Sequence, residues 1–327
     1  MASADSPCSV SVVIPTHNRS GRIDRCARAV LEDPATTEVV VVDDGSQDDT
    51  PAVLANLSRE DARVRIVTTS GGGASMARQA GLAAATGDIV LMVDDDVMLE
   101  PGTVTGHRDR HARATRGEDL VVVGYMPTFV PSPRRPGQFA TRFYAEEYER
   151  HVATWERGDE VIEGLWLGNV SAPRAVWARA RMDAGRFPSV SHEDRDLGLR
   201  MRELGIVGTF DRSLRGEHAH TRTLDQFLND SYLQGVGRWH LGQIHGTVGA
   251  EDSALGRDLP GPVSAVIRVA DSRVGFVILD RALRILVHLA GIGRIWALED
   301  AGAKLLRRIE LRRGVRAAAA AARDAPS

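Results

Sequence analysis

Three consecutive aspartates, Asp94-Asp95-Asp96, close the short apolar run Ile89 to Val93, and a pair, Asp43-Asp44, closes the run that begins at Glu38. Adjacent carboxylates repel one another unless a cation neutralises them. A hard divalent ion such as Mg²⁺ or Mn²⁺, shared with substrate phosphates, is the usual partner. A plain solvated turn would more often use Gly or Asn at such a place, and acids directly after a buried strand point to a ligand site. A third acidic pair, Glu193-Asp194, stands in S-H-E-D-R-D-L-G-L-R (Ser191 to Arg200) at an expected helix start. There the helix dipole keeps a carboxylate ionised and fit to accept a proton, although the same acids also suit a simple helix cap.

The elements that must position these acids follow from periodicity. Strands are expected at Val10 to Ile14, Glu38 to Asp43, Val64 to Thr68, Ile89 to Val93 and Leu120 to Gly124. Between them, Gly21 to Leu31 and Ser75 to Ala85 read as helices, and Ser46 with Asp49 reads as a capping box for another. Strands alternating with helices imply an α/β fold with a mainly parallel sheet flanked by helices. After Tyr125, four prolines between Met126 and Gly137 suggest a surface excursion. A helix from Glu193 to Leu204 and a strand from Ile206 to Phe210 follow, and helical periodicity dominates from Leu224. The expected organisation is therefore 1–125 for nucleotide binding, 126–222 as the second half of the same domain, and 223–327 as a helical C-terminal region. The Ala-rich tail from Arg316 is expected to fray. His107 and His111, in H-R-D-R-H, are expected on a solvated helix face.

Composition narrows the function classes. The 327 residues carry 41 Lys+Arg against 44 Asp+Glu, a net −3, which argues against nucleic acid as a partner. Cys8 and Cys26 are too few for a disulfide framework or a Cys-based zinc site, and no stretch reads as a signal peptide, so a reducing, cytoplasmic setting is expected. The Asn-x-Ser matches at Asn56, Asn169 and Asn229 are then chance. Val274 to Leu298 is apolar but broken by charges, which excludes a conventional membrane span. Gly71-Gly72-Gly73 is followed by Met76 where a dinucleotide fingerprint needs glycine, and there is no phosphate-binding P-loop. These glycines read either as a loop near a phosphate or as a plain turn.

Three blocks together carry a resemblance: S-V-V-I-P-T-H-N-R (Ser11 to Arg19), V-V-D-D-G-S-Q-D-D-T (Val41 to Thr50), and the segment from Ala77 to Asp96 that ends in V-D-D-D. In order and spacing the chain resembles the family 2 glycosyltransferases of GT-A fold, closely over residues 8 to 125 and loosely to about 245. The resemblance implies a nucleoside-diphosphate sugar donor, a divalent cation (Mg²⁺ or Mn²⁺) and inversion at the anomeric carbon. It puts Pro15 and Thr16 beside the base, with Asn18 and Gly73 also on the donor nucleotide. Asp44 accepts a hydrogen bond from the base, and Arg78 lies near the nucleotide. Asp96 becomes the metal ligand, Asp94 and Asp95 reach the ribose or metal-bound water, and His218 or His220 is an added ligand. Asp194, with Glu193 beside it, matches the catalytic base. G-L-W-L-G-N-V places Trp166, Gly168 and Asn169 near the donor sugar. Q-G-V-G-R-W departs in spacing from the motif of processive synthases, so single transfers are implied, with Arg238 and Trp239 bounding the acceptor pocket.

Counting nucleophiles agrees with inversion, since Asp194 is the one matched acid, with Glu163 and Glu217 left open. A sugar nucleotidyltransferase is the enzymatic alternative, and a non-catalytic nucleotide-sugar-binding protein the alternative from another class. The acceptor is open among a small molecule, a glycan and a lipid-linked sugar. The arginine-rich, apolar stretch Val263 to Leu311 suits a helical subdomain packed on the sheet, a homodimer contact, or a peripheral membrane contact.

Overall fold

In the computed structural model, which describes residues 8–114, 119–158, 161–182, 187, 191–246 and 261–324, the β-branched runs become half of an eight-stranded sheet. β1 (Val10–Thr16), β2 (Thr36–Asp43), β3 (Val64–Thr68) and β4 (Ile89–Val93) run parallel in the order β3-β2-β1-β4. Val39 to Val42 and Val12 to Ile14 are wholly buried, as expected of a sheet covered on both faces. α1 (Ser20–Leu31), α2 (Thr50–Glu60) and α3 (Ala74–Ala84) provide the crossovers. From β1 the chain moves to β2 on one side, then returns through β3 to β4 on the other. This reversal brings the carboxyl ends of β1, β2 and β4 to one rim, where a ligand crevice forms in such sheets.

Beyond β4 the sheet is mixed. β7 (Asn169–Pro173) runs antiparallel to β4 and to β6 (Leu120–Tyr125). β8 (Val207–His218) is parallel to β6 and antiparallel to the three-residue β5 (Val97–Leu99). β5 is too short for a two-residue period to reveal, and β8 runs well past the expected end at Phe210. α4 (Thr103–Arg113), α6 (Arg174–Ala180) and α7 (Glu193–Glu203) complete the helices of this half. α2 starts at Thr50, and its cap Asp49 makes no side-chain bond. The capping box expected at Ser46 is absent because the Ser46 hydroxyl instead accepts from the Asn18 N–H.

The chain forms two compact units. One takes residues up to 129, 147–186 and 194–220, and holds the whole sheet. The other takes 130–146, 187–193 and everything from 221, so parts of 126–222 separate from the sheet. α5 (Phe139–Glu156) contributes to both. The second unit is built on α8 (Leu224–His245), α9 (Gly261–Val269), α10 (Arg273–Ile292) and α11 (Trp296–Asp324). A capping box between Thr223 and Gln226 starts α8, and the rings of Phe139, Phe143 and Phe227 pack together in the unit's core. The tail does not fray at Arg316: α11 continues to Asp324, Val315 and Ala318 are buried, and Arg316 pairs with Asp271.

His107 and His111 are not on a solvated face. His107 is wholly buried between α4 and β7, its ring bonded to Ser171 at 2.8 Å and Asn169 at 3.0 Å, and His111 shares the Ser171 hydroxyl. Burial pushes His107 down from 6.5 to about 4, because the charged ring would lose its hydration. The unfolded chain therefore binds a proton that the folded chain refuses. This contribution to stability is complete above pH 6.5 and drains away as pH falls towards 4. For His107 alone the loss by pH 5 should be on the order of 2 kcal/mol. Urea unfolding at pH 8 and pH 5 checks it: His107→Asn should flatten the pH dependence, and an unchanged slope would assign the effect elsewhere.

Candidate active site

The rim of β1 and β4 holds the acids in fixed company. Asp95 accepts the Thr16 hydroxyl at 2.8 Å, and Arg19 Nε lies 3.6 Å from its other oxygen. Burial, reinforced by Asp96 and Asp94, pushes Asp95 up to about 6 against the pull of Thr16 and Arg19. Asp96 leads into β5, which pairs Val97 with His218, and the Ala219 N–H donates to Asp96 O at 2.8 Å. His218 and His220 thus flank Asp96. One ligand atom from each of the three lies within 4.8 Å of the others, with His218 Nε2 at 3.2 Å from Asp96 Oδ1. Burial alone would raise Asp96, but the His218 hydrogen bond and both imidazoles hold it down at about 2. One carboxylate and two imidazoles form a donor set that fits a divalent ion such as Mn²⁺. Cys26, beneath this turn, donates to Val97 O, and burial pushes its thiol up, so it is no thiolate ligand.

Asp44 organises the glycine loop. Its Oδ1 accepts Thr69 Oγ1 at 2.6 Å and Gly72 N at 3.0 Å, while Oδ2 accepts Gly73 N at 2.7 Å. Burial opposes ionisation, but these donors outweigh it and hold Asp44 below the usual carboxylate range. Asp44 and Gly73 therefore bind each other. The Asp44 carboxylate thus ties the end of β2 to the glycine loop.

The second acidic site faces the first through one arginine. Arg78, nearly buried on α3, places Nη2 at 2.7 Å from Asp94 Oδ1 and Nη1 at 3.7 Å from Asp194 Oδ1. Asp194 Oδ2 accepts the Leu167 N–H at 3.1 Å. Asp194 Oδ1 is sealed from solvent and accepts no hydrogen bond among the described residues. Burial raises Asp194 above the ordinary carboxylate range and Asp94 adds to this, while Arg78 and the Leu167 N–H oppose it. The helix-start dipole thus does not keep it at a low pKa; desolvation wins. Close packing holds this geometry. A Cβ at Gly198 on α7 would meet Ile162 O at 2.0 Å, and one at Gly168 would meet Met126 Sδ at 2.6 Å and Asp94 Oδ2 at 3.0 Å.

Other expected site residues are placed differently. Pro15 is buried near the end of β1, opposite Val42. Asn18 bridges two loops, its Oδ1 accepting the N–H groups of Gln47 and Asp48. Asn169 is buried in β7, its amide bonded to Leu214 O and His107. Trp166 packs on Tyr148 and stacks on His151. Glu193 opens α7 half-buried, and Arg238 and Trp239 lie half-buried on α8 in the helical unit. Sequence reasoning missed Arg19 and Thr69. Arg19 stood inside the first matched block, whereas Thr69 carried no local signal.

A sequence profile of glycosyl transferase family 2 matches residues 11–168. Validoxylamine A glucosyltransferase of Streptomyces hygroscopicus subsp. limoneus is 30% identical over 247 residues, covering 65% of this chain and 52% of its own. The chain thus spans about half the length of that curated relative. Among solved structures, mannosyltransferase PcManGT from Pyrobaculum calidifontis, in complex with GDP-Man and Mn²⁺, superposes with a TM-score of 0.60 at 17% identity, covering 94% of this chain and 88% of its own. Glucosyl-3-phosphoglycerate synthase from Mycobacterium tuberculosis, in complex with Mg²⁺ and uridine-diphosphate, gives 0.51 at 21% identity, covering 72% and 79%. These two likenesses are of fold.

Proposed function

The chain belongs to glycosyl transferase family 2, and from that premise we propose that it moves a sugar from a nucleoside-diphosphate sugar to an acceptor hydroxyl by single displacement, with inversion. The observation that carries this reading is the Asp194 carboxylate, joined through Arg78 to the acidic turn that bears the Asp96, His218 and His220 donor set. Those three residues would hold a divalent cation, which when bound would offset the negative charge that develops on the leaving diphosphate. Two imidazoles favour Mn²⁺ over Mg²⁺, which prefers oxygen ligands.

The chain's own groups divide the remaining work. Asp95, steadied by Thr16 and Arg19, is offered to the donor's ribose. The Leu167 N–H and Arg78 orient the Asp194 carboxylate, which takes the acceptor hydroxyl's proton as the acceptor oxygen attacks the anomeric carbon and the nucleoside diphosphate leaves. A raised pKa helps here, because it brings the base nearer the operating pH. Double displacement would need a protein nucleophile beneath the sugar. Of the acids left open by the sequence, Glu163 pairs with Arg202, and Glu217 faces solvent on the side of β8 away from His218.

Glucosyl and mannosyl nucleotides are the first donors to try, since the relatives' names carry those sugars. From an α-linked donor, proton NMR of the product should show a β linkage, and an α linkage refutes the role given to Asp194. Release of a nucleoside diphosphate instead of pyrophosphate separates this activity from nucleotidyl transfer.

A further inference from the structure

α10 has two apolar faces where an ordinary surface helix has one. Gly275, Val287, Ala290 and Gly291 turn into the helical unit. Val274, Ile278, Ile285, Leu289 and Ile292 recur at helical spacing on the other side, and each is between 59% and 71% exposed among the described residues. Ile295 continues the stripe beyond the helix end. The charges exposed along it are Arg273, Arg281 and, just past the end, Arg294, while Asp271, exposed just before the start, is paired with Arg312 and Arg316. The helix has a single acid, Asp280, and Arg284 holds it at 2.8 Å. At the N-terminal end of the same helix a cavity of about 430 Å³ is lined by Arg273, Arg313, Arg316 and Asp271, the last paired with Arg316, beside Tyr232 and Phe276.

We propose that this face of α10 docks flat on an anionic lipid bilayer. The combination of an apolar stripe with a surplus of arginines is what an interfacial helix needs: the branched side chains enter the acyl boundary while the arginines meet lipid phosphates. No helix among the described residues is long and apolar enough to cross a membrane, so the contact lies on the surface. Arg281 sits within the stripe, between Ile278 and Ile285, and its long stem lets the guanidinium reach up to the headgroups. A second copy of the chain is the poorer occupant. Symmetric pairing of this face sets arginines against arginines, and the nearby acids Asp271 and Asp280 are already paired with other arginines.

The full-length protein is tested by co-sedimentation with vesicles of pure phosphatidylcholine and of phosphatidylcholine with phosphatidylglycerol. Binding is expected to the anionic vesicles at low salt and to fall as salt rises. Each of Arg273→Gln, Arg281→Gln and Arg294→Gln should weaken it roughly 5-fold, and the three together roughly 100-fold. Ile285→Glu should abolish it, with an unchanged circular dichroism spectrum as the folding check. The charge variants alter only exposed side chains, so they remain informative if Ile285→Glu misfolds. Absence of binding at low salt, or equal binding to neutral and anionic vesicles, overturns the proposal. So does a dimer in light scattering that Arg281→Gln strengthens and Ile285→Glu breaks, which would give the face to a second copy.

Discussion

Asp194→Asn is expected to lower the rate of sugar transfer by about 10²- to 10⁴-fold, the range for loss of a positioned general base. The substitution keeps the side chain's shape and its acceptor for the Leu167 N–H, so α7 should stay in place. Arg78 loses one ionic partner but keeps Asp94 at 2.7 Å. Affinity for the nucleoside diphosphate should therefore change little while kcat collapses. The wild-type pH profile supplies a second check. The base must be ionised, so activity should fall on the acid side. Burial and the Asp94 carboxylate place that limb above the ordinary carboxylate range, although Arg78 and the Leu167 N–H draw it partly back. The limb should vanish from the residual rate of Asp194→Asn. Unchanged turnover would sink the assignment outright.

Removing the cation's carboxylate is the other change with a large effect. Asp96→Ala should weaken Mn²⁺ binding by at least about 100-fold, and His218→Ala by about 10-fold, by analogy with lost metal-site partners elsewhere. Transfer should fall in step, and chelator should abolish it in the wild type. Binding can be read without activity. At a hundredfold excess over the wild-type Kd, Mn²⁺ should stabilise the folded wild type by about 2.7 kcal/mol and Asp96→Ala by no more than about 0.4 kcal/mol. Full transfer in chelator, or an equal Mn²⁺ response in both proteins, would remove the metal from the site.

Both expectations rest on acids that the sequence exposes plainly. The run Val39 to Val42 could only be a strand buried on both faces, and Ile89 to Val93 the same. Their abrupt endings in aspartates therefore marked a rim before any contact was known. The mixed half of the sheet was harder to read. β5 is three residues long, and β8 carries a burial pattern that fails to alternate cleanly along its first half. Neither leaves a period to detect.

Sequence alone determined the parallel core, the position of the acidic rim and the helix that presents Asp194, because these depend on local periodicity and on where apolar runs stop. Tertiary structure alone decided what each polar group faces. His218 and His220 reach Asp96 only because β8 returns antiparallel to β5, pairing His218 with Val97 from far along the chain. Asp44, adjacent to the rim, is turned inward by Thr69 and the glycine N–H groups. His107, on a helix that looks polar all round, is buried because β7 supplies Ser171 and Asn169 as partners for both ring nitrogens. In each case the deciding energy is the desolvation of a polar group, and whether a partner repays it depends on strand register between distant segments, which no local pattern encodes.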